Sequence, residues 1–138
     1  MNTELNFLRK EALQELENNI LSFWMKQCID TEHGGFIGRI RGDGSADLDA
    51  PKGAILNARI LWAFSAAFRV LGKKEYIETA TRAKREIIDR FYDKEYGGVF
   101  WSLDNHGRPL DTKKQIYALG FAIYGLSEYA RATGDKEA

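Results

Sequence analysis

A chain of 138 residues is the length of one domain, and folding it buries about two thirds of its unfolded surface. Hydrophobic residues at 44% and charged residues at 29% exclude a disordered chain. Twenty Lys and Arg balance twenty Asp and Glu, which excludes a basic footprint for nucleic acid or an anionic membrane. Arg59, Arg69 and Glu128 interrupt the apolar runs, so no transmembrane span is expected. The opening MNTELNFLRKEALQELENN is charged throughout and lacks a signal-peptide core. A single cysteine, Cys28, excludes an internal disulfide framework and is expected to pack rather than react. The expected compartment is the cytoplasm.

From Glu4 to Lys26, Leu5, Leu8, Ala12, Leu13, Leu16, Ile20 and Trp24 recur at intervals of three and four, one apolar stripe on a helix capped by Thr3. Gly34-Gly35 then marks a turn, Phe36–Arg41 a short strand, and Gly42-Asp43-Gly44 a second turn. The next helix spans about Lys52 to Leu71 and ends at Gly72. Ile55, Leu56, Ile60, Leu61, Trp62, Phe64 and Phe68 cover nearly all its faces, so it is expected to be buried on most sides. An amphipathic helix follows over about Lys74–Tyr92, with Tyr76, Ile77, Ala80, Ala83, Ile87 and Phe91 on one stripe. Val99–Leu103 reads as a strand and Asn105-His106-Gly107 as a turn. The last long helix starts near Thr112, where Thr112 and Gln115 have capping-box spacing, and ends at Gly134. Asp135–Ala138 reads as the start of a further helix.

The chain therefore repeats. Asp30-x-Glu-x-Gly-Gly-Phe recurs as Asp93-x-Glu-x-Gly-Gly-Val, and Lys52-x-x-Ile-x-x-x-Arg-x-x-Trp as Lys114-x-x-Tyr-x-x-x-Phe-x-x-Tyr. Each unit is an amphipathic helix, a Gly-Gly β-hairpin link and an all-round apolar helix. Alternating outer and inner helices define an all-α fold of the α/α toroid or solenoid kind. Two helical hairpins leave the inner helices short of neighbours, so residues 1–138 read as a single incomplete domain. Self-association through the exposed inner helices, or a compact four-helix domain, are the alternatives.

Phe23-Trp24, Asp30-x-Glu-x-Gly-Gly-Phe-x-Gly, the Lys52–Ser65 block, Glu95-Tyr-Gly-Gly-Val-Phe-Trp and the Lys114–Tyr129 block together resemble the N-terminal part of the N-acylglucosamine 2-epimerase superfamily, and within it the cellobiose 2-epimerases. The resemblance covers nearly the whole chain. It implies part of an (α/α)6 barrel closed by six helical hairpins. It also implies inversion at C2 of a reducing-end sugar such as cellobiose, by proton removal and return through a cis-enediol. No cofactor and no metal are expected. In that family two histidines from later hairpins carry the proton, so no catalytic residue is expected in this chain, and 138 residues alone are expected to be inactive.

Three residues are candidates for binding the sugar. Arg59 lies mid-helix among apolar residues, and a guanidinium keeps its charge, so it needs a partner or a ligand. The resemblance implies a substrate contact; the alternatives are a structural ion pair or an Arg whose stem lies along a partly exposed face. Tyr117, near the start of the last inner helix, could stack on a sugar or pack in the core. Asn57 lies about 200° around the helix from Arg59 and is not expected to share its face. His33 and His106 precede glycines in turns and are expected to be solvated. Asp43–Asp49 lacks the spacing of a calcium loop. A glycoside hydrolase using Asp104, Asp111 or Glu128 and a helical-repeat interaction module are the competing functions.

Overall fold

The computed structural model describes residues 3–138. The first outer helix runs as α1 (Thr3–Glu15), a π-helical turn (Leu16–Leu21) and α2 (Ser22–Gln27). Thr3 already lies inside α1 and so does not cap it from outside. The apolar stripe is only partly used: Leu5 and Leu8 are exposed, and packing into the core begins at Leu16 and Leu21.

The first link follows. Ile29 pairs with Phe36 across a single bridge around Gly34 and Gly35, both with positive φ. Strand β1 (Arg39–Ile40) then pairs antiparallel with β2 (Ala46–Asp47). Lys52–Gly53 forms β3 rather than the first turn of a helix, because it pairs with β4 (Ser102–Leu103) of the second link. Helix α3 (Ala54–Leu71) consequently starts two residues later than expected, and it stops at left-handed Gly72. Helix α4 (Lys74–Glu86) continues through a π-helical turn (Ile87–Phe91). The second link has its own Tyr92–Val99 bridge, then β4 and β5 (Pro109–Asp111), giving a sheet ordered β3-β4-β5.

The capping box expected at Thr112 does not form. Trp101 N–H donates to the Asp111 carbonyl, Asp111 Oδ1 accepts the Lys113 N–H at 3.1 Å, and helix begins only with α5 (Ile116–Thr133). Gln115 is the cap residue but makes no side-chain capping bond. After Gly134 the described residues form a turn closed by Asp135 Oδ1 on the Glu137 N–H, not a fifth helix.

Helix α3 is central. Its Ile60 and Phe64 lie with Tyr76, Ala80, Ala83, Ile87 and Phe91 of the second outer helix in one core, which also takes in Phe36, Val99 and Leu103 of the links. On another side α3 meets α5, so closely that a Cβ at Gly125 would stand 2.7 Å from the Ala58 carbonyl oxygen. Arg69 and Glu128 close that seam with a 2.7 Å ion pair. α3 is long and apolar enough to cross a bilayer by composition alone; here that character matches its central place between α4 and α5. α5 is not buried all round. Ala118, Ala122 and Gly125 are buried, while Ile116, Tyr117, Ile123 and Tyr124 are exposed.

The repeated Asp and Lys account for the links. Asp30 Oδ1 accepts the N–H groups of Glu32 (3.0 Å) and His33 (2.8 Å), which fixes the turn. Its Oδ2 accepts Lys52 Nζ at 2.7 Å, and the same ammonium reaches the Gly34 carbonyl at 2.5 Å. In the second unit Asp93 takes the Glu95 and Tyr96 N–H groups, and its Oδ2 pairs with Lys114 at 2.6 Å. Burial opposes the charge of Asp30, but the His33 N–H and the Lys52 ammonium outweigh it and hold its carboxyl below the ordinary 3.8. Asp30 therefore stabilises the fold above that pH, and its contribution is lost as pH falls through the lower native value.

Lys52 is 1% exposed, whereas Lys114 is 29% exposed. Lys52→Met leaves a buried carboxylate without its cation and is expected to cost about 3–5 kcal/mol in urea unfolding. Lys114→Met, nearer water, is expected to cost clearly less. Equal losses at the two sites would contradict the buried clasp.

Candidate functional site

The three candidate residues are separated by the geometry. Asn57 is fully buried; its amide donates to the Gly53 carbonyl at 2.9 Å, which fastens the first turn of α3, and its Oδ1 has no partner. Arg59 is exposed and makes no hydrogen bond or ion pair among the described residues. Its stem lies in a groove lined by Ile20, Leu21, Trp24, Ile55, Leu56 and Ala63. The 100° step per residue explains why Asn57 and Arg59 face different ways. Tyr117 is 62% exposed and lines a shallow hollow with Ile116, Gly120, Phe121 and Tyr124. Arg59 and Tyr117 thus line two different recesses.

A ladder of rings links α3 to the start of α5. Trp62 stacks on Tyr124 with centroids 4.9 Å apart and planes 9° apart. Phe121 meets Tyr124 edge-on at 6.3 Å, and Tyr117 meets Phe121 edge-on at 5.0 Å. Arg59 stands one turn before Trp62 on α3. The α5 hollow offers ring faces and a phenol, and the α3 groove an exposed guanidinium, groups that hold a polyhydroxylated ligand by stacking and hydrogen bonds. Phe121 was not singled out from sequence; its place in the repeat, opposite Arg59, was the available signal.

His106 is exposed, as expected, but His33 is less solvated. His33 is partly buried, and its ring meets His106 edge-on at 4.3 Å. Arg90 spans both turns, donating from Nη1 to the His33 carbonyl at 2.6 Å and to the His106 carbonyl at 3.5 Å. No group of three or more His, Cys, Asp or Glu that could hold a metal ion occurs among the described residues. Cys28 is buried, and burial pushes its thiol up to about 11, which makes it inert at neutral pH.

The carboxylates do not form a glycosidase pair. Asp104 is held below its ordinary value by the Arg108 N–H, and Asp111 by the Lys113 ammonium. Glu128 is tied to Arg69 and lies 3.7 Å from Arg131. The carboxyl that is pushed upward is Glu86, on the outer helix. It is 5% exposed, and its Oε1 has no hydrogen-bond donor, with the Arg90 guanidinium 3.6 Å away. Gly35 makes room for it: a Cβ there would stand 2.5 Å from the Glu86 carboxyl carbon.

The N-acylglucosamine 2-epimerase (GlcNAc 2-epimerase) family matches residues 35–138. The chain belongs to that family. A cellobiose 2-epimerase of Bacteroides fragilis is 63% identical over 131 residues, covering 95% of this chain and 33% of that protein. A cellobiose 2-epimerase of Ruminococcus albus is 47% identical over 128 residues, covering 93% of this chain and 33% of that protein. The solved cellobiose 2-epimerase of Bacillus thermoamylovorans superposes with a TM-score of 0.92 at 42% identity, covering 96% of this chain and 34% of that one. The chain therefore spans about a third of the length of the relatives it matches.

Two outcomes follow for this chain. Arg59→Met keeps the stem and removes a charge that has no partner among the described residues, so stability is expected to stay within about 0.5 kcal/mol; a loss above about 2 kcal/mol would reinstate a structural ion pair. Glu86 has a native value above its ordinary 4.5, so the fold loses stability as pH rises through the window between the two. Glu86→Gln is expected to remove that slope and raise stability at neutral pH. Unfolding curves at about pH 5 and about pH 8 measure it, and a variant less stable at neutral pH would contradict it.

Proposed function

We propose that this chain forms the N-terminal part of a carbohydrate 2-epimerase that interconverts C2 epimers of a cellobiose-type disaccharide. In this reading its two hairpins are part of an (α/α)6 toroid, and α3 and α5 line the interior. The observation that carries it is Arg59: an exposed guanidinium on the central helix with no partner among the described residues. The 63% identity to a cellobiose 2-epimerase supports the choice of sugar.

Arg59 holds sugar oxygens through its fork, and Tyr117 stacks on or hydrogen-bonds to a ring. Asn57 contacts no sugar: it is buried and fixes the start of α3, which aims Arg59. The C2 proton is removed and returned by bases outside these residues, so the chain alone is inactive. The protein works in the cytoplasm, and the exposed inner-helix surface drives self-association when nothing else covers it.

A chimera in which this chain replaces the matching third of the Bacteroides fragilis enzyme tests the reading. The chimera is expected to epimerise cellobiose and to introduce deuterium at C2 in deuterium oxide, whereas the 138-residue chain introduces none. Arg59→Lys in the chimera keeps the charge and loses the fork. It is expected to lower kcat/KM by about two to three orders of magnitude, with the melting temperature unchanged. A folded chimera without activity, or an Arg59→Lys chimera with full turnover, would overturn the assignment.

A further inference from the structure

The two histidines share one feature: each precedes a glycine, His33-Gly34 in the first link and His106-Gly107 in the second. Both pairs close around Arg90, which leaves the outer helix at its π-helical turn. A Cβ at Gly34 would stand 3.1 Å from Arg90 Nη2 and one at Gly107 2.0 Å from Nη1, so the guanidinium occupies space that a side chain on the Gly107 turn would fill. An arginine Nη carries two hydrogens, and here three oxygens compete for Nη1. The His33 carbonyl, at 2.6 Å, takes the first hydrogen. The second is left between the His106 carbonyl at 3.5 Å and Glu86 Oε1 at 3.6 Å. Glu86 is buried, and no donor lies within hydrogen-bond distance of that Oε1. The other cations near it are committed: Arg82 to the Gly35 and Asp30 carbonyls, Lys52 to the Asp30 carboxylate and the Gly34 carbonyl.

We propose that Arg90 is a proton-controlled latch between the two links: it joins them while Glu86 is neutral and releases the second link when Glu86 is ionised. A hydrogen bond to a carboxylate is about twice as strong as one to a neutral carbonyl, so an ionised Glu86 draws the second hydrogen off the His106 carbonyl. A neutral Glu86 has no such advantage, and the hydrogen stays between the turns. Burial favours the neutral form and outweighs the pull of Arg90, Lys52 and Arg82, with Asp30 acting in the same sense as burial, so the carboxyl changes charge above the ordinary 4.5. The latch is therefore closed below the native value and opens as pH rises through it. The links lead into α3 and α5, so the latch sets how firmly the two inner helices are held to each other at that end. Protonation of His33 or His106 would also bear on Arg90, with Asp30 and Glu32 beside His33 and Asp104 in the turn of His106. That effect is common to the parent and a Glu86 variant, and comparing them at one pH removes it.

Backbone amide hydrogen exchange over residues 104–108, followed by mass spectrometry on the 138-residue chain and on Glu86→Gln, tests this. At about pH 8 Glu86→Gln, which stays neutral, is expected to exchange about fivefold more slowly there than the parent, the equivalent of one hydrogen bond regained. At about pH 5, where Glu86 is neutral in the larger part of the parent, the difference is expected to shrink toward nothing. Arg90→Lys replaces the fork with a single ammonium. On that background Glu86→Gln is expected to leave exchange unchanged at both pH values. No difference at the higher pH, or a difference of equal size at both, would overturn the latch. A Glu86→Gln effect that survives in Arg90→Lys would overturn it as well. The comparison of parent with Glu86→Gln decides by itself should Arg90→Lys fail to fold.

Discussion

The ammonium of Lys52 sits where three parts of the chain have to meet. It leaves strand β3 just before α3, ends on the Asp30 carboxylate and the Gly34 carbonyl, and is closed off from water. Asp30 is at the same time the residue that shapes the turn, so one carboxylate fixes the link and fastens it to the inner helix. Arg82 extends the arrangement from outside, donating from Nε to the Gly35 carbonyl at 2.8 Å and from Nη2 to the Asp30 carbonyl. Outer helix, link and inner helix are thereby tied at one end of the fold. A buried pair of this kind adds little net stability against an apolar replacement, but losing one partner is costly. Its effect is to hold one arrangement of the hairpin.

That end of the fold also starts both inner helices. With the origin of α3 fixed by Lys52 and by the Asn57 amide on Gly53, the helical step sets the direction of every later residue. Asn57 turns inward and Arg59 outward. In the second unit Lys114 and Asp93 fix α5 in the same way, and Tyr117, Phe121 and Tyr124 fall on its open side. The groups proposed to meet the sugar are therefore positioned by contacts made at the links, and among the described residues they make no ion pair of their own to the scaffold.

Much of this was legible in the sequence. The three-and-four spacing located the long helices, and Gly72 and Gly134 marked two of their ends. The recurrence of Asp30 and Lys52 as Asp93 and Lys114 announced the repeat, though not that each Asp would pair with its Lys. What sequence reading missed were effects of long-range pairing. Lys52–Gly53 has helical neighbours, but β4 captures it. Thr112 and Gln115 have capping-box spacing, but β5 and the Asp111 turn use that stretch first. Glu86 looks like one more polar residue on an amphipathic helix; only the space above Gly35 shows that its carboxyl is buried. Arg59 stood out as a charge on a helix expected to be buried on most sides, but it is exposed, and no acidic residue among the described ones pairs with it.

The coupling between Lys52 and Asp30 is the most direct measure of the central interaction. A double-mutant cycle with Lys52→Met, Asp30→Asn and the double variant, read by urea unfolding, separates the pair from the other bonds each residue makes. A coupling of about 2–3 kcal/mol is expected, with the double variant clearly more stable than the sum of the single losses predicts. Additive losses, with coupling near zero, would show that the two side chains act independently and that something else fastens the link to α3.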